Sequence, residues 1–281
     1  MSLEGAPEWE SIAVGEHWIR TFQAGPHQAS EAVVFVHGNP GSAADFEDLV
    51  TQIAPPRRAV AFDLPDFGQS IAAPGFGHTQ SEYAEFIGEV FKALGIRRAH
   101  LVLHDLGGPI GLEWASTHTG QVASVTLINT GILAGYKWHR TARVWQTPVA
   151  GELLQAAAFR SMFRRTISKR EPHGLPREFL DGMYDNYDRR TRRAVLDIYR
   201  DMKKVGRSSK QLIPLLAAAD LPALVVWGAG DPYLPASFAD RQRSAFPSAS
   251  VHILPASGHW PFIDDPPAVS DLLTGFLATV E

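Results

Sequence analysis

Six apolar runs of four or five residues recur along the chain, separated by longer amphipathic stretches, and this alternation stops once for about eighty residues. The runs are Ala32–Val36, Arg58–Phe62, His100–Leu103, Val125–Ile128, Ala223–Trp227 and Val251–Leu254. Runs this short and this uniformly apolar read as strands buried on both faces. With helices between them, they call for a mostly parallel sheet wrapped on both sides. His17–Phe22 reads as an earlier, antiparallel edge strand. Thr79–Leu94 places Tyr83, Phe86, Ile87, Val90 and Leu94 at three- and four-residue steps, one face of a helix. Pro109–Thr117 follows a glycine pair, and a last helix is expected over Pro267–Val280, with proline in its first turn.

From Gly131 to Ile213 no buried strand is visible, and helices are expected at Ala142–Arg165, Arg177–Asn186 and Thr191–Lys204. Alternation resumes at Leu221. The economical organisation is one α/β domain in two parts, residues 1–130 and 214–281, with a helical cap at 131–213 inserted between them. That segment holds 18 of the 26 Lys and Arg residues but 8 of the 30 Asp and Glu, so it carries +10 against −14 for the rest. Two complementary surfaces meeting across a seam, loosened by salt, are the expected consequence. The basic run Arg189-Arg190-Thr191-Arg192-Arg193 is interleaved with Asp185, Asp188, Asp197 and Asp201, which reads as a solvated helix face. No nucleic-acid recognition motif accompanies it, so a nucleic-acid partner is not expected.

The chain has no cysteine, which excludes disulfide scaffolds, thiolate zinc sites and cysteine nucleophiles. Met1–Glu10 carries Glu4, Glu8 and Glu10 without an apolar core, unlike a signal peptide. The longest apolar stretch, Leu215–Trp227, is broken by Asp220 and Pro222 and is too short for a membrane span. A cytoplasmic protein that touches no membrane is expected; oligomeric state leaves no signature.

Chemistry concentrates at strand ends. Val36 is followed by His37-Gly38-Asn39-Pro40-Gly41, Leu103 by His104-Asp105-Leu106-Gly107-Gly108, and the two late strands by Gly230-Asp231-Pro232 and Ser257-Gly258-His259-Trp260. In open parallel sheets, ligands bind at that carboxyl edge. An Asp, a second acid and a His therefore come together there in chain order. The 28 positions between Asp231 and His259 leave room for one helix and one strand.

These motifs resemble the α/β-hydrolase superfamily, in particular its aspartate-nucleophile branch of haloalkane dehalogenases and epoxide hydrolases. His37–Pro40 is similar to the oxyanion-hole loop, Phe62-Asp63-Leu64-Pro65-Asp66-Phe67-Gly68-Gln69-Ser70 to the family's next turn, and His104–Pro109 to its nucleophile elbow. The resemblance covers essentially the whole chain. It implies an eight-stranded, mostly parallel sheet with an inserted helical cap. Esterases of this fold place Ser where Asp105 stands. A carboxylate suits displacement at a saturated carbon, since attack on an ester would give an anhydride.

The implied roles are Asp105 as nucleophile, His259 oriented by Asp231 as base, and the backbone N–H groups of Asn39 and Leu106 as oxyanion donors. Asn39, Trp138, Trp145 and Tyr199 are candidates for binding substrate and leaving group. No metal or cofactor is called for, only a small apolar organic substrate and water. Asn39 favours halide displacement, whereas Leu106 departs from the Trp that dehalogenases usually carry after the nucleophile. Leu106 also lacks the Arg of the fluoroacetate-type relatives. Epoxide opening is the alternative, with Tyr199 resembling a lid tyrosine; a non-catalytic binding protein on the same fold is the other. His37 and His104 read as structural histidines, Asp63 and Asp66 as turn formers, and Asp264 and Asp265 as helix caps.

Overall fold

The computed structural model describes residues 5–280; Met1–Glu4, with the Glu4 of the expected non-signal N-terminus, and Glu281 lie outside the described residues. Eight strands form one sheet in the order β1-β2-β4-β3-β5-β6-β7-β8, with β1 at Glu8–Val14, β2 at His17–Ala24, β3 at Glu31–Val36 and β4 at Arg58–Phe62. The others are β5 at Arg98–His104, β6 at Val122–Ile128, β7 at Ala223–Gly228 and β8 at Ser250–Leu254. Pairing is antiparallel for β1–β2 and β2–β4 and parallel from β4 onward. Every residue of β4, β6 and β7 is buried, as a sheet covered on both faces requires. The edge strand β1 had no expectation attached to it. Its Glu8 and Glu10 alternate with half-buried Trp9 and Ser11, so its short amphipathic pattern hides among N-terminal acids.

Helix α1 spans Glu47–Ile53, α2 Gln80–Leu94 and α3 Gly107–Thr117. Thr79 caps α2 as one half of a capping box with Glu82, each side chain accepting the other's backbone N–H, and Gly95 closes the helix in the left-handed conformation. Between β6 and β7 there are only helices: α4 Arg140–Trp145, α5 Ala150–Ala156, α6 Arg160–Ser168, α7 Arg177–Asp185, α8 Arg189–Asp201 and α9 Val205–Ala219. The single helix expected over Ala142–Arg165 is three. Pro148 lacks an N–H and disfavours helix before it, and Val149 turns the chain with φ +68. Residue 213, the expected end of the insertion, falls inside α9, which accommodates Pro214 and packs along α3. The last helices are α10 Pro261–Asp264 and α11 Pro266–Leu277.

The expected charge seam is not what joins the insertion to the sheet domain. Its arginines pair with acids of the same segment: Arg160 and Arg164 with Asp181, Arg190 with Asp188, Arg193 with Asp197 and Arg200 with Glu152. Among the described residues the polar contacts across the seam include one histidine–carboxylate pair, His78–Asp197 at 3.9 Å, and otherwise run through hydrogen bonds. Asp201 accepts from Gln80 N–H at 2.9 Å, Thr191 Oγ1 donates to the Asp66 carbonyl at 2.9 Å, and Asn186 Nδ2 donates to Ser42 Oγ at 3.3 Å. The segment's acids, outnumbered there, do more of the docking than its bases. The salt sensitivity expected from net charge therefore has, among the described residues, only that histidine pair behind it.

Candidate active site

Strand β5 ends at His104, and the chain must turn at once to start α3. Asp105 takes that turn with φ +48, a region few non-glycine residues occupy. The next residues must be small because neighbouring chain lies against them. A Cβ on Gly107 would stand 2.2 Å from the Val36 carbonyl oxygen, and one on Gly108 would stand 1.9 Å from Thr130 Oγ1. Thr130 in turn donates its hydroxyl to the Asp105 carbonyl. The strain lifts the Asp105 carboxylate out of the sheet edge.

One oxygen of that carboxylate, Oδ1, accepts the Asn39 N–H at 2.8 Å, and the other, Oδ2, lies 3.4 Å from His259 Nε2. His259 Nδ1 is 2.8 Å from Asp231 Oδ2. Asp231 Oδ1 accepts the backbone N–H groups of Tyr233 and Leu234, which fixes the carboxylate in line with the ring. Burial opposes the charge on Asp105, but the hydrogen bond and charge of His259 outweigh it and hold the carboxyl below its usual range. Burial likewise works against a proton on His259, and the flanking Asp231 and Asp105 carboxylates overcome it and raise its pKa. The resting arrangement is an imidazolium between two carboxylates.

Asn39 and Leu106, the two expected oxyanion donors, differ. Asn39 N–H already meets Asp105 Oδ1, whereas Leu106 precedes α3 and its N–H is one of the groups a helix start leaves without an intrahelical partner. The Asn39 side chain donates from Nδ2 to the Tyr199 hydroxyl at 3.3 Å. Tyr199 is 2 % exposed, sandwiched between Trp138 and Trp145 with ring centres 4.9 and 4.8 Å away. Trp145 faces the main cavity together with Tyr199. Trp138 does not, and its indole N–H donates to the Met202 carbonyl at 3.0 Å, leaving no indole proton for a leaving group. The cavity measures about 280 Å³ and ends on Asp105, Asn39 and His259, with largely apolar walls from the insertion, Leu154, Met162, Phe163 and Ile167 among them.

His37 and His104 hold backbone: His37 bridges the Gly38 carbonyl and the Leu64 N–H, and His104 Nε2 reaches the His259 carbonyl at 2.8 Å. Burial lowers both, His37 to about 4 and His104 to about 3, so both rings are neutral at pH 7. Asp63 accepts the N–H groups of Ala43 and Gln69, a turn role. Asp265 caps α11 through Ala268 N–H. Asp264, expected as a cap, instead accepts the Gly258 N–H at 2.7 Å, beside His259.

Two further groups had no expectation attached. Asn129, at φ +46 just after β6, donates from Nδ2 to Asp231 Oδ2 and accepts the Gly228 N–H; a strand followed by Asn-Thr-Gly is a sequence sign of such a turn. Glu171, between α6 and α7, crosses to the sheet domain, where its Oε2 accepts the His259 N–H at 2.8 Å. A Cβ on Gly258 would lie 1.9 Å from that oxygen, so only glycine lets Glu171 in. Its Oε1 is buried without a partner.

Burial pushes the Glu171 carboxyl up to about 7, although His259 draws it down. A raised folded pKa means the native chain keeps a proton that the unfolded chain has released, so this group costs stability as pH climbs from the ordinary glutamate value through about 7. Glu171→Gln removes that component. Its melting temperature relative to the parent should rise between pH 5 and pH 7.5, by the equivalent of up to ~3 kcal/mol. Parallel melting curves for the two proteins across that range would show that Glu171 does not titrate there.

Residues 31–266 match the family model for the alpha/beta hydrolase fold, and the chain belongs to that family; it is a hydrolase. Among known proteins it is similar to haloalkane dehalogenase 2 of Mycobacterium tuberculosis, at 27% identity over 96% of this chain and 97% of that one. It is also similar to a 2-hydroxy-6-oxononadienedioate/2-hydroxy-6-oxononatrienedioate hydrolase of a Pseudomonas species, at 24% identity over 88% of each chain. Among solved structures, a haloalkane dehalogenase from Bradyrhizobium elkani superposes with a TM-score of 0.84 at 22% identity, covering 98% of this chain and 99% of that one, which establishes the shared fold. Among the described residues no helix is long and apolar enough to cross a membrane.

Proposed function

We propose that the enzyme displaces a leaving group from a saturated carbon of a small organic substrate, with Asp105 as nucleophile, in the manner of a haloalkane dehalogenase. The observation that carries this reading is a carboxylate at the strained elbow, with one oxygen held by Asn39 N–H and the other beside His259, lining a largely apolar cavity. Asp105 Oδ2 attacks the carbon, the carbon–halogen bond breaks, and halide leaves with the electron pair. The product is an ester on Asp105, which no longer carries charge. One of the two carboxylates that raised His259 is thereby neutralised, and the ring can release its proton to solvent, the acid equivalent that accompanies the halide, and serve as base. His259 Nε2 then takes a proton from water, whose oxygen adds to the Asp105 carbonyl carbon. The oxyanion forms on Oδ1, where Asn39 N–H and Leu106 N–H are the donors, each worth about 3 kcal/mol in comparable sites. Collapse expels the alkoxide, which takes the proton from His259, and the carboxyl proton left on Asp105 then passes to His259, restoring the carboxylate and the imidazolium. Asp231 keeps the ring in the required tautomer, and Asn129 supports Asp231.

The leaving group is received by Tyr199, Asn39 and the Trp145 edge of the cavity. Tyr199 also favours a second reading, epoxide opening, in which its hydroxyl gives a proton to the alkoxide that Asp105 expels. Burial raises the Tyr199 pKa well above the ordinary phenol value, which suits a hydrogen-bond donor better than a proton donor and ranks halide first. Halide release from bromoalkanes and diol formation from terminal epoxides, measured side by side, separate the two. Tyr199→Phe should slow halide release by about tenfold, the loss of one hydrogen bond to a charged group, and should abolish diol formation if epoxide opening is the reaction. Diol formation without halide release from any bromoalkane would overturn the first reading.

A further inference from the structure

The active-site cavity is lined by groups of opposite charge. Asp105 and His259 lie in it, and the wall contributed by the insertion brings in the exposed Arg170, just past α6, whose guanidinium carbon is 5.8 Å from the centre of the Tyr233 ring, itself 5.0 Å from the His259 ring. Asp105 is the one acid of that lining, and Arg170 the one residue there with a permanent positive charge. His139 does not share that role, because burial lowers it to about 4 and leaves it neutral at pH 7. Among the described residues Arg170 makes no ion pair with a carboxylate, whereas several arginines of the insertion do. Arg160, Arg164, Arg177, Arg190, Arg193 and Arg200 each meet a carboxylate. The Arg170 guanidinium instead rests both terminal nitrogens on Thr141 Oγ1, at 3.3 Å each, with its carbon 5.8 Å from the centre of the Tyr233 ring. Those contacts aim a planar fork without using up its charge, and such a fork matches a carboxylate.

We propose that Arg170 receives the carboxylate of an amphipathic substrate, an organic acid whose apolar chain runs down the cavity and presents its far carbon to Asp105. This rests on the displacement reading above and narrows its substrate class. Electrostatics fix the orientation. Asp105, Asp231 and protonated His259 sum to one negative charge, so an anionic group is repelled from the nucleophile and drawn to Arg170. The wall also carries the apolar side chains Met162, Phe163 and Ile167, against which an alkyl chain can lie, while its other polar groups, Gln155, Thr166 and Tyr187 among them, are uncharged.

The test is calorimetric binding of hexanoate and hexan-1-ol to the parent, Arg170→Ala and Arg170→Lys proteins. Hexanoate should bind the parent at least about tenfold more tightly than hexan-1-ol, the scale of a charge-assisted pair. Arg170→Ala should erase that preference and Arg170→Lys should keep part of it, since the charge remains and the fork does not. Equal binding of both ligands to the parent, an undiminished preference in Arg170→Ala, or no binding of either ligand overturns the assignment. Turnover of 6-bromohexanoate beside 1-bromohexane is read separately, and Arg170→Ala should raise KM for the acid more than it lowers kcat. If neither compound releases bromide, the displacement reading fails alone, because the binding measurement does not depend on the chemistry.

Discussion

His259→Gln should convert the enzyme into a trap for its own intermediate. Displacement by Asp105 does not use His259 as a base, so alkylation proceeds, while ester hydrolysis loses its proton acceptor and slows by about a thousandfold. Incubation with 1-bromobutane followed by mass spectrometry should find a butyl group on the peptide containing Asp105. The Asp105→Ala protein should carry none. The geometry sets this expectation: His259 Nε2 lies 3.4 Å from Asp105 Oδ2, close enough to deliver water to the carbonyl carbon of an ester formed there. If His259→Gln turns over at the parent rate, or gains no adduct from any bromoalkane or epoxide, Asp105 is not the nucleophile. A non-catalytic binding protein would then be the better account.

The second large effect is expected where no reacting atom is touched. Gly107→Ala adds one methyl group, and that methyl meets the Val36 carbonyl oxygen at 2.2 Å, a backbone atom in the strand that leads to the oxyanion loop. Side chains can rotate away from such a contact; a central strand cannot. Either β3 or the start of α3 must shift, at a cost of ~1–3 kcal/mol for overpacking. The shift separates Asn39 N–H from Asp105, and a displacement near 1 Å in such an array costs about a hundredfold in rate. Thermal unfolding and steady-state kinetics on one preparation would check both consequences. Parent-like stability together with parent-like activity would mean that the elbow has slack the packing does not reveal.

What could be read from the residues follows from how each signal is encoded. Strands β3 to β7 are built on apolar runs, and α2 carries a periodic face between Thr79 and Gly95, so local pattern and tertiary burial agree there. The Val251–Leu254 run, expected to be buried on both faces, is instead the edge strand β8, where Ile253 is 46% exposed. Asp105 and His259 stand out because glycines at strand ends single them out, and the fold brings them to one edge. Glu171 carries no such mark, Asp264 reads as a helix cap, and Asn129 is flagged only as a turn, not as a partner of Asp231. Each acts on a neighbour through one hydrogen bond over a long sequence separation, or through a backbone turn, and neither leaves a period or a motif. Trp138 and Trp145 looked equivalent as candidates, yet the Met202 carbonyl takes the indole proton of Trp138. Composition misled in one respect. A segment of net charge +10 suggested attraction across the seam, but its arginines satisfy its own acids, and net charge says nothing about where partners sit.

Glu171 gives the insertion a stake in the histidine loop that the cavity walls alone would not give it. A protein engineer exchanging residues 131–213 for the equivalent stretch of a relative, in order to change what the cavity accepts, would also remove the acceptor for the His259 N–H. Gly258, freed of its neighbour, would be left as a flexible point beside the His259 ring. Substrate choice and ring placement are therefore not separable modules in this chain. A graft that carries the glutamate at the position of Glu171 keeps them together, and one that lacks it starts with a loosened base whatever its new walls look like.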